Sequence, residues 1–392
     1  MAYGTPFLRL SHWLGRLLSV RFRRVSFQCR KAALIHILIG YGYHPVTTAT
    51  YMQRALERRA ETTFVGTPYG ARPGFAATGD VGSIVQDLPQ APDLYLHVDA
   101  VLPWYFPRGL TTLDCPTACY LIDVHVHPQK RLRQAMFFDY AFSAQRDFVE
   151  VLRQAGHPQA YWLPLACDPE VHRRYDVPKR FDIGFVGATG RGYERRRVLI
   201  ERLARRYTVS DYRRSYTPAE MARLYSESRL VFNCSLRGEV NMRVFEGPAT
   251  GTLTLTDRIG NGLSELLADD EHVVMYDDDQ LVEQADRMLR DDATRESIAM
   301  HGYEHVRAYH TYDHRVGTIL DTVFASEGPR LEAPLRRRPD ADVQLAYAEL
   351  YARERRVDDT IEQLQRMPAS PRYRALAACE VIYCLLRRVK NG

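Results

Sequence analysis

No stretch of this sequence approaches the roughly 18 consecutive apolar residues of a membrane-spanning helix. The seven cysteines show no repeated CxxC pairing, and an odd number leaves one without a partner, so the expected setting is reduced and cytoplasmic. Cys115 and Cys119 flank Pro116 with no second pair to complete a zinc site. Charge is equally unremarkable: a net +5 over 392 residues is too small and too dispersed for a dedicated nucleic-acid binder, and no nucleic acid is expected as partner. Acidic residues are absent before Glu57, whereas Arg9, Arg16, Arg21, Arg23, Arg24, Arg30 and Lys31 crowd the first 31 positions. Beside them Leu10, Trp13, Leu14, Leu17 and Leu18 fall at helical spacing. Residues 7–31 therefore read either as an amphipathic helix resting on an anionic membrane surface or as a loosely packed extension. Arginines interrupt any apolar core, which argues against a cleaved signal peptide.

A composition of 45% hydrophobic and 26% charged residues is that of a globular protein, long enough for two domains and an appendage. After the basic extension (1–31), residues 32–168 alternate short apolar runs with helical periodicity: strands at 33–39, 62–65, 94–98, 117–123, 138–143 and 160–163, helices at 50–59, 129–136 and 144–155. Residues 169–180 are polar, carry two prolines and read as a linker. The alternation restarts at Phe181 and runs to 309, including a strand at 207–210; a closing helix spans 310–328. The reading is an α/β chain of two facing doubly wound halves with a cleft between them, where ligands meet the carboxyl ends of strands. Residues 329–392 form a helical tail whose helices, at 343–352, 360–367 and 373–386, look like one tetratricopeptide unit. One such unit cannot bury its own face, so it is expected to pack on the body.

The densest chemistry lies in Asn241-Met-Arg-Val-Phe-Glu-Gly-Pro-Ala-Thr-Gly251. Pro248 is tolerated in the first turn of a helix, so the expectation is a helix beginning near it, ended by Gly251, with Asn241, Arg243 and Glu246 ahead of its N-terminus. Free N–H groups there favour an anion; a guanidinium grips a diphosphate bidentately, and a carboxylate accepts two vicinal hydroxyls. The plain alternative is a structural Arg243–Glu246 ion pair. The turn Gly184 to Gly192, with Gly187 and Arg191, follows a buried strand and could contact phosphate, though it matches neither the dinucleotide fingerprint nor a P-loop.

On the other half, Asp123-Val-His125-Val-His127 ends a strand, with alternation placing all three polar side chains on one side. In a transferase His125 would reach the donor sugar or acceptor, with Asp123 orienting it. In a metal-dependent hydrolase, His-x-His would begin a metal site needing further ligands at later strand ends. A hydrogen-bonded structural histidine pair is the third reading. Gly42 and His44, in the turn after the first strand, would face the acceptor. Asp277-Asp-Asp279 precedes a helix and reads as its N-terminal cap.

The motif Asn241-x-Arg243-x-Phe-Glu246-x-Pro-Ala-x-Gly251 resembles the glycosyltransferase group related to the spore-maturation protein CgeB. The likeness extends to Phe181-Asp-Ile-Gly-Phe-Val-Gly, His310-Thr-Tyr-x-His-Arg315, Tyr120-Leu-Ile-Asp-Val-His125 and Ala144-Gln-Arg-Asp147, covering roughly residues 90–325. The resemblance implies a GT-B fold of two Rossmann-like domains and transfer of a sugar from a nucleotide sugar, UDP-linked by default. It also implies retained anomeric configuration; helix N–H groups would stabilise the charge on the leaving diphosphate, so no metal and no further cofactor are expected. A Glu in the position of Glu246 would hold the donor ribose. Related transferases pair it with an upstream glutamate; here Gly238 stands at that position and Glu239 follows. The resemblance leaves the acceptor open between glycan, protein, lipid and small molecule. A non-catalytic scaffold of the same fold, or an epimerase releasing free sugar, would share these features.

Overall fold

His36-Ile-Leu-Ile-Gly40 is uncharged and buried throughout, as a strand covered on both faces must be. In a computed structural model describing residues 35–99, 103–325 and 331–368, with a few positions between 370 and 379, it forms β1. The first half continues with α1 (Thr48–Glu57), β2 (Glu61–Val65), α2 (Val81–Gln86), β3 (Leu94–Val98) and β4 (Thr117–Leu121). It ends with α3 (Pro128–Ala135), β5 (Tyr140–Ser143), α4 (Arg146–Gln154) and β6 (Ala160–Trp162). The strands make one parallel sheet in the order β2-β1-β3-β4-β5-β6, in register Ile37 on Leu94 and Tyr95 on Thr117. Strand order reverses between β1 and β3, which opens a crevice at their carboxyl ends.

The second half holds β7 (Phe181–Gly184), α5 (Glu194–Ala204), α6 (Pro218–Ser226), β8 (Ser228–Asn233), α7 (Arg243–Ala249) and β9 (Leu253–Asp257). Next come α8 (Leu263–Leu266), β10 (Val274–Tyr276), α9 (Leu281–Arg290), α10 (Asp292–Tyr309) and α11 (Tyr312–Phe324). Its sheet is parallel, in the order β10-β9-β8-β7. The strand expected at 207–210 is reduced to one bridge, Val209 to Ile183, on the edge beside β7. A core of Ile183, Phe185, Leu230, Phe232, Leu253 and Leu255 lies under α5 and α9.

The halves share a core in which Ile37, Ile39, Tyr51 and Met52 pack with Val244, Phe245, Tyr312 and Ile319. Helix α11 returns to pack on α1, and Arg315 ties it down by donating to the carbonyls of Pro164 at 2.7 Å and Leu165 at 3.0 Å. The tail packs on the first half, as expected. From α12 (Asp340–Arg353), Val343, Tyr347, Leu350 and Tyr351 join the core of Phe106, Leu110 and Phe137. Tyr347 also accepts from Leu110 N at 3.1 Å, and α13 (Val357–Gln365) packs behind α12. The basic extension and most of the helix expected at 373–386 lie outside the described residues.

Two local expectations are corrected. Helix α7 begins at Arg243, so Pro248 sits in its last turn rather than its first; the helix ends one residue later and forfeits little bonding. Arg243 and Glu246 are therefore within the helix, and Glu246 faces inward. The acids at 277–279 do not cap α9: Asp278 is gripped bidentately by Arg195 at 2.6 and 2.9 Å, and Asp277 lies 3.7 Å from Arg258.

Candidate functional site

Between the two sheets runs a cleft made of two adjoining cavities of about 420 and 400 Å³ that share Ile122, Asp123, Leu165 and Asn241. Its first-half wall is the turn and start of α1 (Val46 to Ala49), Asp99 after β3, and Asp123 to Val126 after β4. The opposite wall is Tyr193, Arg196, Leu236, Glu239, Asn241 and Met242. Both walls are carboxyl ends of parallel strands, as the folding rule for such sheets requires.

Arg196 lines the second wall, and the Arg243 guanidinium is its electrostatic neighbour. Buried Arg196 donates to Cys234 O at 2.8 and 3.0 Å and to Ala188 O at 3.2 Å. Half-buried Arg243 donates to Val186 O at 3.0 Å and Asn233 Oδ1 at 2.7 Å. Among the described residues neither has a carboxylate within ion-pair distance; besides these carbonyls they lie over the rings of Tyr193 and Phe185. Burial, and then the neighbouring Arg243, holds the Arg196 pKa below its ordinary value. Such a pair is a built attraction for a multiply charged anion. Gly187 makes the packing possible, since a Cβ there would lie 2.5 Å from Arg243 Nη2.

The loop carrying Asn241 is held rigid by Glu239, whose buried carboxylate accepts three bonds of 2.7–3.0 Å from Leu236 N and Arg237 N. Asn241 Oδ1 accepts from Arg243 N at 3.1 Å, while its Nδ2 is buried without a partner. His125 Nδ1 is buried without a partner too, and both residues line the same cavity. Two orphaned polar atoms facing one cleft suit a hydroxyl-rich ligand better than an apolar one.

On the first wall, buried Asp99 is paired with fully buried Arg131, Nε to Oδ2 at 2.7 Å. Asp123 shares the cavity with Asp99, and burial, followed by the Asp99 charge, pushes its carboxyl pKa up. A carboxylate raised in this way is suited to accept a proton nearer neutral pH.

Not every expected residue meets here. Asp123, His125 and Asn241 do; Gly187 and Arg243, packed on each other, line neither cavity. Glu246 lines neither cavity and is 94% buried: its one ion-pair contact among the described residues is His172 Nε2 at 3.5 Å, and its carboxylate receives no hydrogen bond. The Arg243–Glu246 pair is not formed. Arg191 is exposed in the turn before α5 and lines neither cavity. Gly251, at positive φ after α7, lines a separate cavity with Arg174 and Lys179. His127 lines a neighbouring cavity with Lys130 and Arg353, so the three side chains of Asp123-x-His125-x-His127 do not converge. Gly42 is spent on chain packing, its Cα against the Pro103 carbonyl, and His44 sits over the start of α1. Among the described residues no three His, Cys, Asp or Glu side chains gather in metal-binding geometry. Arg196 was missed, yet it is spaced on the buried stripe Leu199, Ile200 and Leu203, an arginine where a helix faces its core.

Residues 172–321 match the family described as Glycosyl transferase-like. No curated protein sequence matches. The fold matches HepE of Anabaena, solved with UDP and glucose, at a TM-score of 0.58 and 14% identity over 74% of this chain and 100% of that one. It also matches a glycosyltransferase of Rickettsia africae ESF-5 (0.52, 10%, 74% and 98%). A UDP-forming trehalose-phosphate synthase of Burkholderia vietnamiensis matches at 0.50 and 11%, over 74% and 100%. The chain has the GT-B fold, and its residues 172–321 are similar to the Glycosyl transferase-like family.

Proposed function

We propose that this GT-B glycosyltransferase takes its sugar from a nucleoside diphosphate donor, by default UDP-linked, and passes it to an acceptor hydroxyl. The observation that carries the reading is the pair of Arg196, in the lining of a cleft between parallel sheets, and its neighbour Arg243, neither within ion-pair distance of a described carboxylate. In this reading they hold the diphosphate around Gly187, with Arg191 closing from the turn. HepE, of the same fold, is solved with UDP-glucose.

Glu246 is the ribose-binding group: a nearly buried carboxylate without a hydrogen-bond donor is costly, and two vicinal hydroxyls would complete it. Asn241 Nδ2 and His125 Nδ1 meet the sugar hydroxyls. The bond from the anomeric carbon to the diphosphate oxygen breaks, its electron pair leaving on the diphosphate. The acceptor oxygen bonds to the same face, retaining configuration, and Asp123 takes its proton. The two guanidinium groups neutralise the leaving charge, so the step proceeds without a metal. Gly42, His44 and His127 belong to the acceptor side. The kinship with the CgeB group rests on the motif around Glu246. The reducing, cytoplasmic setting fits the free thiols among the described cysteines, and among the described residues no helix is long and apolar enough to cross a membrane.

Calorimetry with UDP and with uridine tests the reading. Arg196→Gln should weaken UDP by about 10- to 100-fold, the worth of one charge-assisted contact, and leave uridine unchanged. Equal loss for both ligands, or no UDP binding to the native protein, overturns it. The latter would also indicate a scaffold.

A further inference from the structure

The turn that leads into α1 carries an aromatic cluster to which the donor reading gives no role. Tyr43 lies edge-on to Phe64 at 6.0 Å and to Tyr69 at 5.6 Å, and the His44 ring meets Tyr69 at 5.6 Å. Tyr69 and Arg72 close a tight turn through reciprocal backbone bonds of 3.2 and 2.9 Å. That turn carries the Arg72 guanidinium to 4.0 Å from the centre of the Tyr43 ring and 4.1 Å from Phe64. Tyr69 is 43% exposed and Val46, in the same turn as His44, 44% exposed. Tyr43, His44 and Phe64 are half-buried beneath them, so the cluster presents ring surface and Val46 to solvent at the mouth of the cleft.

Three features narrow the occupant. The cluster is continuous with the cleft, because His44 Nδ1 accepts from Val46 N at 3.5 Å and Val46 to Ala49 form the cleft wall. Beside Phe64 its rings are Tyr and His, apolar on the face and polar at the rim, which matches a pyranose with one C–H face and a hydroxyl edge. Arg72 has no carboxylate within ion-pair distance among the described residues, so its charge is answered only by ring faces.

We infer that Tyr43, His44, Tyr69 and Arg72 form the acceptor subsite, and that the acceptor is a saccharide bearing an anionic group, a carboxylate or a phosphate. The inference rests on the proposed transfer, since it supplies the acceptor of that reaction. The sugar ring stacks on Tyr69, its anionic substituent meets Arg72, and its free hydroxyl points along Val46 to Thr48 toward Asp123.

NMR titration of the full chain at saturating UDP with methyl β-glucuronide, glucose 6-phosphate and methyl β-glucoside tests it. At least one acidic sugar should bind about tenfold more tightly than the neutral glucoside, the tighter one naming the anionic group. Tyr69→Ala should weaken all three by about tenfold, and Arg72→Gln should abolish the preference, with melting temperature and UDP affinity as in the native protein. Equal binding of neutral and acidic sugars overturns the inference. So does sugar binding that neither variant changes, or response of the cluster to lipid micelles and to no sugar. UDP affinity in the same samples reports the donor reading separately.

Discussion

Gln145, just before α4, joins the two halves through one side-chain amide. Its Oε1 accepts from Val240 N at 3.0 Å and from Asn261 Nδ2 at 3.1 Å, and its Nε2 donates to Val240 O at 3.1 Å. Gln145 and Val240 are both buried, at the end of the cleft that carries Glu239 and Asn241. Gln145→Leu keeps most of the volume and removes every bond, leaving the Val240 N–H and C=O without partners. An unsatisfied buried group costs roughly 1–3 kcal/mol, so two would cost about 2–6 kcal/mol. Water entering from the cleft would recover part of this, and the expectation is the lower end, about 2 kcal/mol. The loss should appear as a lowered urea midpoint. Because the bond spans the halves, the cleft should also open more often and UDP affinity should fall by about 30-fold at most, the equivalent of the same 2 kcal/mol. A variant with the native urea midpoint and native UDP affinity would show that the amide neither stabilises the chain nor holds the cleft.

Asp123→Asn should lower transfer by about 10²- to 10⁴-fold, the usual worth of a general base, with UDP affinity within about twofold of native. A parallel fall in both would assign Asp123 to donor binding instead. Stability should fall in acid. Burial, the leading cause, pushes His97 down to about 4 and His310 to about 3, whereas the unfolded imidazole titrates near 6.5. Below pH ~6.5 the unfolded chain takes up protons that the native state refuses, so this stability is complete above ~6.5 and is lost as pH falls toward those lower values. At pH 5 each histidine should cost on the order of 2 kcal/mol. Urea midpoints at pH 7.5 and 5 measure it; His97→Phe should reduce the difference, and equal midpoints in the native protein would refute the argument.

Much of this architecture follows from local pattern. Uncharged five-residue runs such as His36 to Gly40 and Leu94 to Val98 can be satisfied only by strands buried on both faces, and helical periodicity between them dictates parallel connections. Two doubly wound halves, a linker between them and a helical tail that needs a body to pack on were therefore readable from residue order. So were the positions of Asp123 and His125, because a polar residue just beyond a buried strand emerges at its carboxyl end.

What residue order left undecided was direction and pairing. The start of α7 depended on where Val244 and Phe245 could pack against the first half, and that placement turned Glu246 inward toward His172 and left Pro248 at the far end of the helix. Arg196 stands in the basic run from Arg195 to Arg197. Its inward orientation comes from the shared stripe with Leu199 and Leu203, and its lack of a carboxylate partner depends on which groups the second sheet brings near. The separation of His127 from His125, and the pairing of Gln145 with Val240, are contacts between segments distant in sequence. Local pattern determined the elements of this protein; burial and charge compensation in three dimensions decided which of their side chains share the cleft.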